Sequence, residues 1–177
     1  MKQLFLAAIA ALTFTPTAGL TTGNFAEHKR LYDTIHSVGV RVLINNPKYC
    51  TGSVDGSYHS RERILSICQD NASYMNNEVD WTANDYDTLR HEAHHLIQDC
   101  VKGSLGDRQL GLLFGSMDKA EEFVKTVYTP AQMRELMGSP SYRGNNDYRQ
   151  MIELEAFATA SIISATDITN KMIEVCR

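Results

Sequence analysis

The sequence predicts a helix-dominated α+β domain with a small antiparallel sheet. Three observations carry that expectation. Apolar residues recur at helical spacing through most of the chain. Only two short runs, Arg41-Val42-Leu43-Ile44 and Ile64-Leu65-Ser66-Ile67, read as strands. The four cysteines, Cys50, Cys68, Cys100 and Cys176, form an even set suited to disulfides in an exported protein.

Taken in order, residues 1–19 read as a secretory signal peptide. Lys2 supplies the positive start, Leu4 to Phe14 the apolar core, and Thr17-Ala18-Gly19 the small residues for cleavage. The protein is therefore expected to be secreted or periplasmic. Residues 20–177 form one domain of about 158 residues (177 − 19), enough for a real core. Asn24 to Val38 predicts a first helix, with His28 and His36 at the edge of its apolar stripe. Arg41–Ile44 is a strand ended by Asn45-Asn46-Pro47. Ser53 to Gly56 is a turn, and Tyr58 to Cys68 carries the second strand, expected to pair antiparallel with the first. Residues 58–67 are the candidate edge for an added peptide strand. Residues 71–83 are polar and irregular, and Asn71-Ala72-Ser73 is a formal glycosylation sequon.

Asp85 to Val101 predicts the central helix, capped by Asp85 or Asp87 and stopped by Gly103. Leu89, Ala93, Leu96, Ile97 and Cys100 share its apolar face; His91, His95, Gln98 and Lys102 project opposite. Gly103 to Gly115 is a glycine-rich connection. Helices follow over Asp118–Tyr128, Pro130–Met137, Asp147–Ala160 and Asp167–Val175, with a loop at 138–146. Of the three cysteine pairings, Cys50–Cys68 closes a local loop beside the strands, and Cys100–Cys176 ties the chain end to the central helix.

Lys and Arg number 17 and Asp and Glu 21, a formal charge of −4, or −5 without Lys2. That mild value gives no electrostatic footprint for nucleic acid and no polybasic patch for anionic lipid. No run outside the N-terminus is long and apolar enough to span a bilayer. The expectation is a monomer with no nucleic-acid partner and no stable membrane insertion.

The chemistry concentrates in His91-Glu92-Ala93-His94-His95, an HExxH motif. Four residues slightly exceed one helical turn, so the imidazoles of His91 and His95 leave one face and can share a zinc ion, Zn2+. Glu92 is placed to serve as general base. A catalytic zinc needs a third protein ligand, and Glu153, 58 residues beyond His95 (153 − 95), is the favoured one. Ala156 and Ala160 share its helix face and leave room for a close helix. Glu155 points about 160° away.

HExxH with a downstream Glu-x-x-Ala resembles the gluzincin branch of zinc metallopeptidases. The stretch Thr88 to Cys100 also resembles small secreted metallopeptidase-like proteins encoded by cyanobacteria and their phages. The resemblance implies a zincin-like fold with the sheet beside the HExxH helix. It also implies that the Glu of Glu-x-x-Ala is the third ligand. Two registers fit, Glu153 with Ala156 and Glu155 with Ala158. The Glu-x-Glu-Ala form favours Glu153. Many gluzincins place an Asp four residues after the ligand Glu to orient a zinc-bound His. Phe157 stands there in this chain, and Asp99 is one substitute.

The expected function is a secreted zinc-dependent peptidase acting on a peptide or protein substrate, with Glu92 as general base for a zinc-activated water. Tyr142, Tyr148, Arg143 and His59 are the candidates for an oxyanion donor. The alternative is a non-catalytic zinc-binding or adhesion module of the same fold; a disulfide-stapled structural protein without metal is a third reading. A di-iron site would need a second ExxH, which the sequence lacks.

Overall fold

The computed structural model describes residues 25–52, 54–72, 78–103, 105–106 and 109–176. The signal-peptide reading of residues 1–19 lies outside them, as does Ser73 of the sequon. Among the described residues six helices and three strands run in the order α1 (Phe25–Ser37), β1 (Arg41–Ile44), β2 (Gly56–His59), β3 (Ile64–Ile67), α2 (Ala83–Val101), α3 (Met117–Lys125), α4 (Pro130–Met137), α5 (Asp147–Ile162) and α6 (Ala165–Val175). The expected helix-rich α+β class is present.

The sheet corrects two expectations. Its order is β1-β3-β2, with β1 parallel to β3 and β2 antiparallel to β3. The sheet is therefore mixed rather than antiparallel. Residues 58–67 are not one edge strand: a 3-10 turn at Ser60–Glu62 folds β2 back onto β3. β3 becomes the central strand, all four of its residues buried, and β2 the edge. A strand buried on both faces is expected to be apolar throughout, as Ile64-Leu65-Ser66-Ile67 nearly is.

Helix α2 starts at Ala83, two residues earlier than the sequence suggests. Thr82 is the N-cap: its hydroxyl accepts from the Asp85 N–H (3.1 Å) and its own N–H donates to the Asp85 carboxylate (2.7 Å), a capping box. Asp85 thus caps from the third helical position. Gly103, at φ +116°, takes the left-handed turn that ends the helix region as expected.

α2 lies between two apolar clusters. On one side Leu89, Ala93, Leu96 and Ile97 pack with Leu31 and Ile35 of α1, Leu65 and Ile67 of β3, and Ile168 and Met172 of α6. On the other, α5 contributes Met151, Ile152, Leu154 and Ala158 to a cluster with Ala120, Val124 and Met137. Ala156 is fully buried, so α5 approaches α2 closely, as its small residues predict. Both favoured disulfides are formed, Cys50–Cys68 and Cys100–Cys176. They suit an oxidising compartment. No helix among the described residues is long and apolar enough to cross a membrane.

Candidate metal centre

The helical period sets the first two groups. His91 and His95, one turn apart on α2, present Nε2 atoms 3.1 Å from each other. Glu153, in the second turn of α5, brings Oε2 to 3.6 Å from His91 Nε2 and 3.3 Å from His95 Nε2. Among the described residues these three form a group that can hold a metal ion. The two histidines are buried, and Glu153 is partly open to a cleft of about 890 Å³.

Glu155, the other register, stands elsewhere. It is fully buried, and its Oε2 accepts from His94 Nε2 (3.1 Å), Gln98 Nε2 (2.7 Å) and the Leu113 N–H (3.1 Å). Its Oε1 accepts from the Phe114 N–H (3.3 Å). Two acids only two positions apart on α5 thus meet different residues of α2, one facing the cleft and one inside the core.

Behind His95, its Nδ1 lies 2.7 Å from Gln98 Oε1. The expected substitute carboxylate is a correction: Asp99 accepts from the Tyr58 hydroxyl (2.7 Å) and the Gly106 N–H (2.9 Å). Phe157 fills the position of the expected Asp and packs its ring on His91, centroids 4.4 Å apart. His91 Nδ1 has no hydrogen-bond partner among the described residues.

Charge is distributed unequally over the cluster. Burial works against a charged His95, but the hydrogen bond to Glu153 and the carboxylates of Glu153 and Glu92 outweigh it and push its pKa up to about 9. His91, where burial dominates, falls to about 4. Two ring nitrogens 3.1 Å apart need one donor and one acceptor, which a charged His95 beside a neutral His91 satisfies. Burial disfavours a charged Glu153 too, but its hydrogen bonds from His91 and His95 hold it well below the usual carboxylate range. Glu92 is buried, and burial raises it to about 7; the nearby Glu153 charge adds to this, while His95 and the Tyr58 N–H oppose it.

The edge strand explains how Glu92 is held. A Cβ on Gly56 would sit 2.5 Å from Thr88 Cγ2, 3.0 Å from the Ser66 carbonyl and 3.1 Å from Glu92 Cγ. Only glycine lets β2 lie this close to α2. The Cys68 N–H bonds the Asp55 carbonyl, so by the alternation of an antiparallel ladder Gly56 and Tyr58 turn their backbone groups outward. The Tyr58 N–H reaches the Glu92 carboxylate there.

Gly56, Ser57 and Tyr58 line one wall of the cleft; Leu136, Tyr142 and Phe157 line the facing side. Of the four oxyanion candidates only Tyr142 lines it. The Tyr148 hydroxyl donates to the Leu110 carbonyl (3.1 Å), and His59 Nε2 pairs with the Ser57 hydroxyl (2.9 Å). Burial, then the charges of Glu153, Glu92 and Asp55, push the Tyr142 hydroxyl well above its usual range, so it keeps its proton at neutral pH.

No curated protein and no solved structure matches the chain. A family model does match, over residues 20–136, a span that holds His91, Glu92 and His95 and stops short of Glu153. The chain belongs to the family described as a domain of unknown function, DUF8637.

Proposed function

We propose that the protein is a zinc-dependent peptidase of zincin type, with His91, His95 and Glu153 as metal ligands and Glu92 as general base. The observation that carries this reading is the ligand triangle. Its sides are 3.1, 3.3 and 3.6 Å. A tetrahedral zinc with bonds of about 2.0–2.1 Å separates its ligand atoms by roughly 3.3–3.4 Å. Two imidazoles and one carboxylate suit zinc and disfavour calcium or magnesium, which take oxygen ligands.

Zinc in such a site supplies a Lewis acid that polarises a carbonyl and makes water more acidic. The chain's own residues do the rest. Glu92, with a pKa near neutrality in the metal-free protein, takes a proton and returns it to the leaving amine. Tyr142 offers a protonated hydroxyl to the developing oxyanion. The open edge of β2 orients an extended peptide along the cleft through the outward Gly56 backbone groups and the Tyr58 carbonyl, the Tyr58 N–H being engaged by Glu92.

A second reading, a zinc-binding module without turnover, draws on one observation: Phe157 rather than a hydrogen-bond acceptor packs against His91. Metal analysis of the purified protein beside Glu153→Ala and Glu155→Ala tests the site. About one zinc per chain, lost in Glu153→Ala, is expected; none in the wild type, even after zinc-loaded refolding with disulfides intact, overturns both metal readings. Glu92→Gln separates the two. A peptidase keeps its zinc and loses cleavage of a peptide library, whereas a binding module loses nothing.

A further inference from the structure

We propose that Gln98 and Glu155 are positioning residues for the metal: Gln98 fixes the tautomer of His95, and Glu155 fixes Gln98. This rests on the zinc reading of His91, His95 and Glu153. Gln98 is fully buried one turn beyond His95 on α2. Its Nε2 donates to two acceptors on α5, the Ile152 carbonyl (3.0 Å) and Glu155 Oε2 (2.7 Å). Flipping the amide would press its oxygen against both of them, so Oε1 must face His95 Nδ1, 2.7 Å away. Nδ1 must therefore carry a proton, and Nε2 is left to face His91 and Glu153. A histidine's metal-binding nitrogen is set by the hydrogen bond its other nitrogen makes.

The same geometry says why residue 98 is an amide. It has to accept from an imidazole on one side and donate to a carboxylate on the other. A Glu at this position would bring two acids within about hydrogen-bond distance in a buried site, which is strongly unfavourable. Glu155 in turn is immobilised by His94 and by the N–H groups of Leu113 and Phe114. The carboxylate missing at Phe157 is thus supplied through a relay, His95–Gln98–Glu155. α5 thus meets His95 directly at Nε2 through Glu153, and at Nδ1 only through Gln98, which Glu155 holds.

Two measurements test this on the full chain with both disulfides formed. The first is a long-range proton–nitrogen NMR spectrum of the zinc-loaded wild type. His95 is expected with a proton on Nδ1 and none on Nε2; the reverse tautomer overturns the proposal without recourse to any variant. The second is zinc affinity by chelator competition in Gln98→Met and Gln98→Glu, with melting temperature and circular dichroism recorded alongside. Both variants are expected to bind zinc about 10–100-fold more weakly, Gln98→Glu no better than Gln98→Met. A folded Gln98→Met with wild-type affinity and an unchanged His95 tautomer would show that the network only satisfies buried polar groups, and the proposal fails. A wild type that binds no zinc defeats the underlying reading instead, a result distinct from either.

Discussion

Glu153 and Glu155 differ by two positions and face opposite fates when removed. Glu153 is partly open to the cleft, so Glu153→Ala is expected to abolish metal binding while leaving the fold intact. Glu155→Ala strips the acceptor from four donors, of which His94 and Gln98 are fully buried. Breaking a buried hydrogen-bonded pair costs about 3–5 kcal/mol. Urea titration of the metal-free variants should show the larger midpoint shift in Glu155→Ala; equal shifts would contradict the separation. Protonation offers a second check. In the metal-free protein His95 is raised to about 9, so at pH 7 it carries a proton that any metal must displace. Zinc binding should release about one proton on that group's account, and apparent affinity should rise with pH up to about 9. Calorimetry in two buffers of different ionisation enthalpy measures the release, and none at pH 7 would place His95 neutral already. The histidines and Glu92 were legible because helical periodicity acts within one segment. Glu153 was legible as an inward position beside alanines. The roles of Gln98 and Glu155 were not, because they depend on each other across 57 residues of chain, a pairing that no local period encodes.

At the scale of elements, periodicity located the six helices of the described residues and two of their three strands, but not how the strands pair. Four-residue strands carry little information on polarity, and the short segment Gly56–His59 has no strong strand composition. It forms a strand because the turn at Ser60–Glu62 folds it against β3, leaving the opposite side of β3 to β1. That swap puts β2 on the cleft, and its contact with α2 depends on one missing side chain. Gly56→Ala would drive a methyl against Thr88 and the Ser66 carbonyl. Thr88 can turn its methyl away, but the backbone oxygen of β3 cannot, so the strand must shift. The expected cost is about 1–3 kcal/mol of stability. Displacing the Tyr58 N–H from Glu92 should also lower turnover more than zinc content. Pairing Gly56→Ala with Thr88→Ser relieves the closest contact and should recover part of the stability. Wild-type stability and turnover in Gly56→Ala alone would mean that the edge strand has slack the structure does not show.

The whole molecule holds α2 from several directions that do not need metal: the core cluster with α1, β3 and α6, the Gln98 bonds to α5, and the Cys100–Cys176 disulfide at its C-terminal end. The pairing of the cysteines was legible because only one arrangement closes a local loop beside the strands. The close approach of α5 to α2 was legible from Ala156 and Ala160, but the placing of the Phe157 ring on His91 was not, since it depends on a contact across 66 positions (157 − 91). These supports distinguish the protein from a small zinc-folded module, in which removing metal removes the fold. Metal removal should therefore lower stability without unfolding the protein. With zinc at 100 to 1,000 times its dissociation constant, the bound state gains about 2.7–4.1 kcal/mol. For a chain of this size that is a fall of roughly 5–16 °C in melting temperature on adding EDTA. Circular dichroism at 25 °C should stay helical throughout. The same experiment after reduction removes the Cys100–Cys176 tether, which closes a separation of 76 residues and contributes about 4.5 kcal/mol in a chain-entropy account. If α2 is held mainly by its core and the disulfides, reduction and chelation should lower the melting temperature additively. A collapse of helicity on chelation alone would instead make the metal the organiser of α2 and α5. An unchanged melting temperature would leave His91, His95 and Glu153 as a buried ion-pair cluster with no metal to bind.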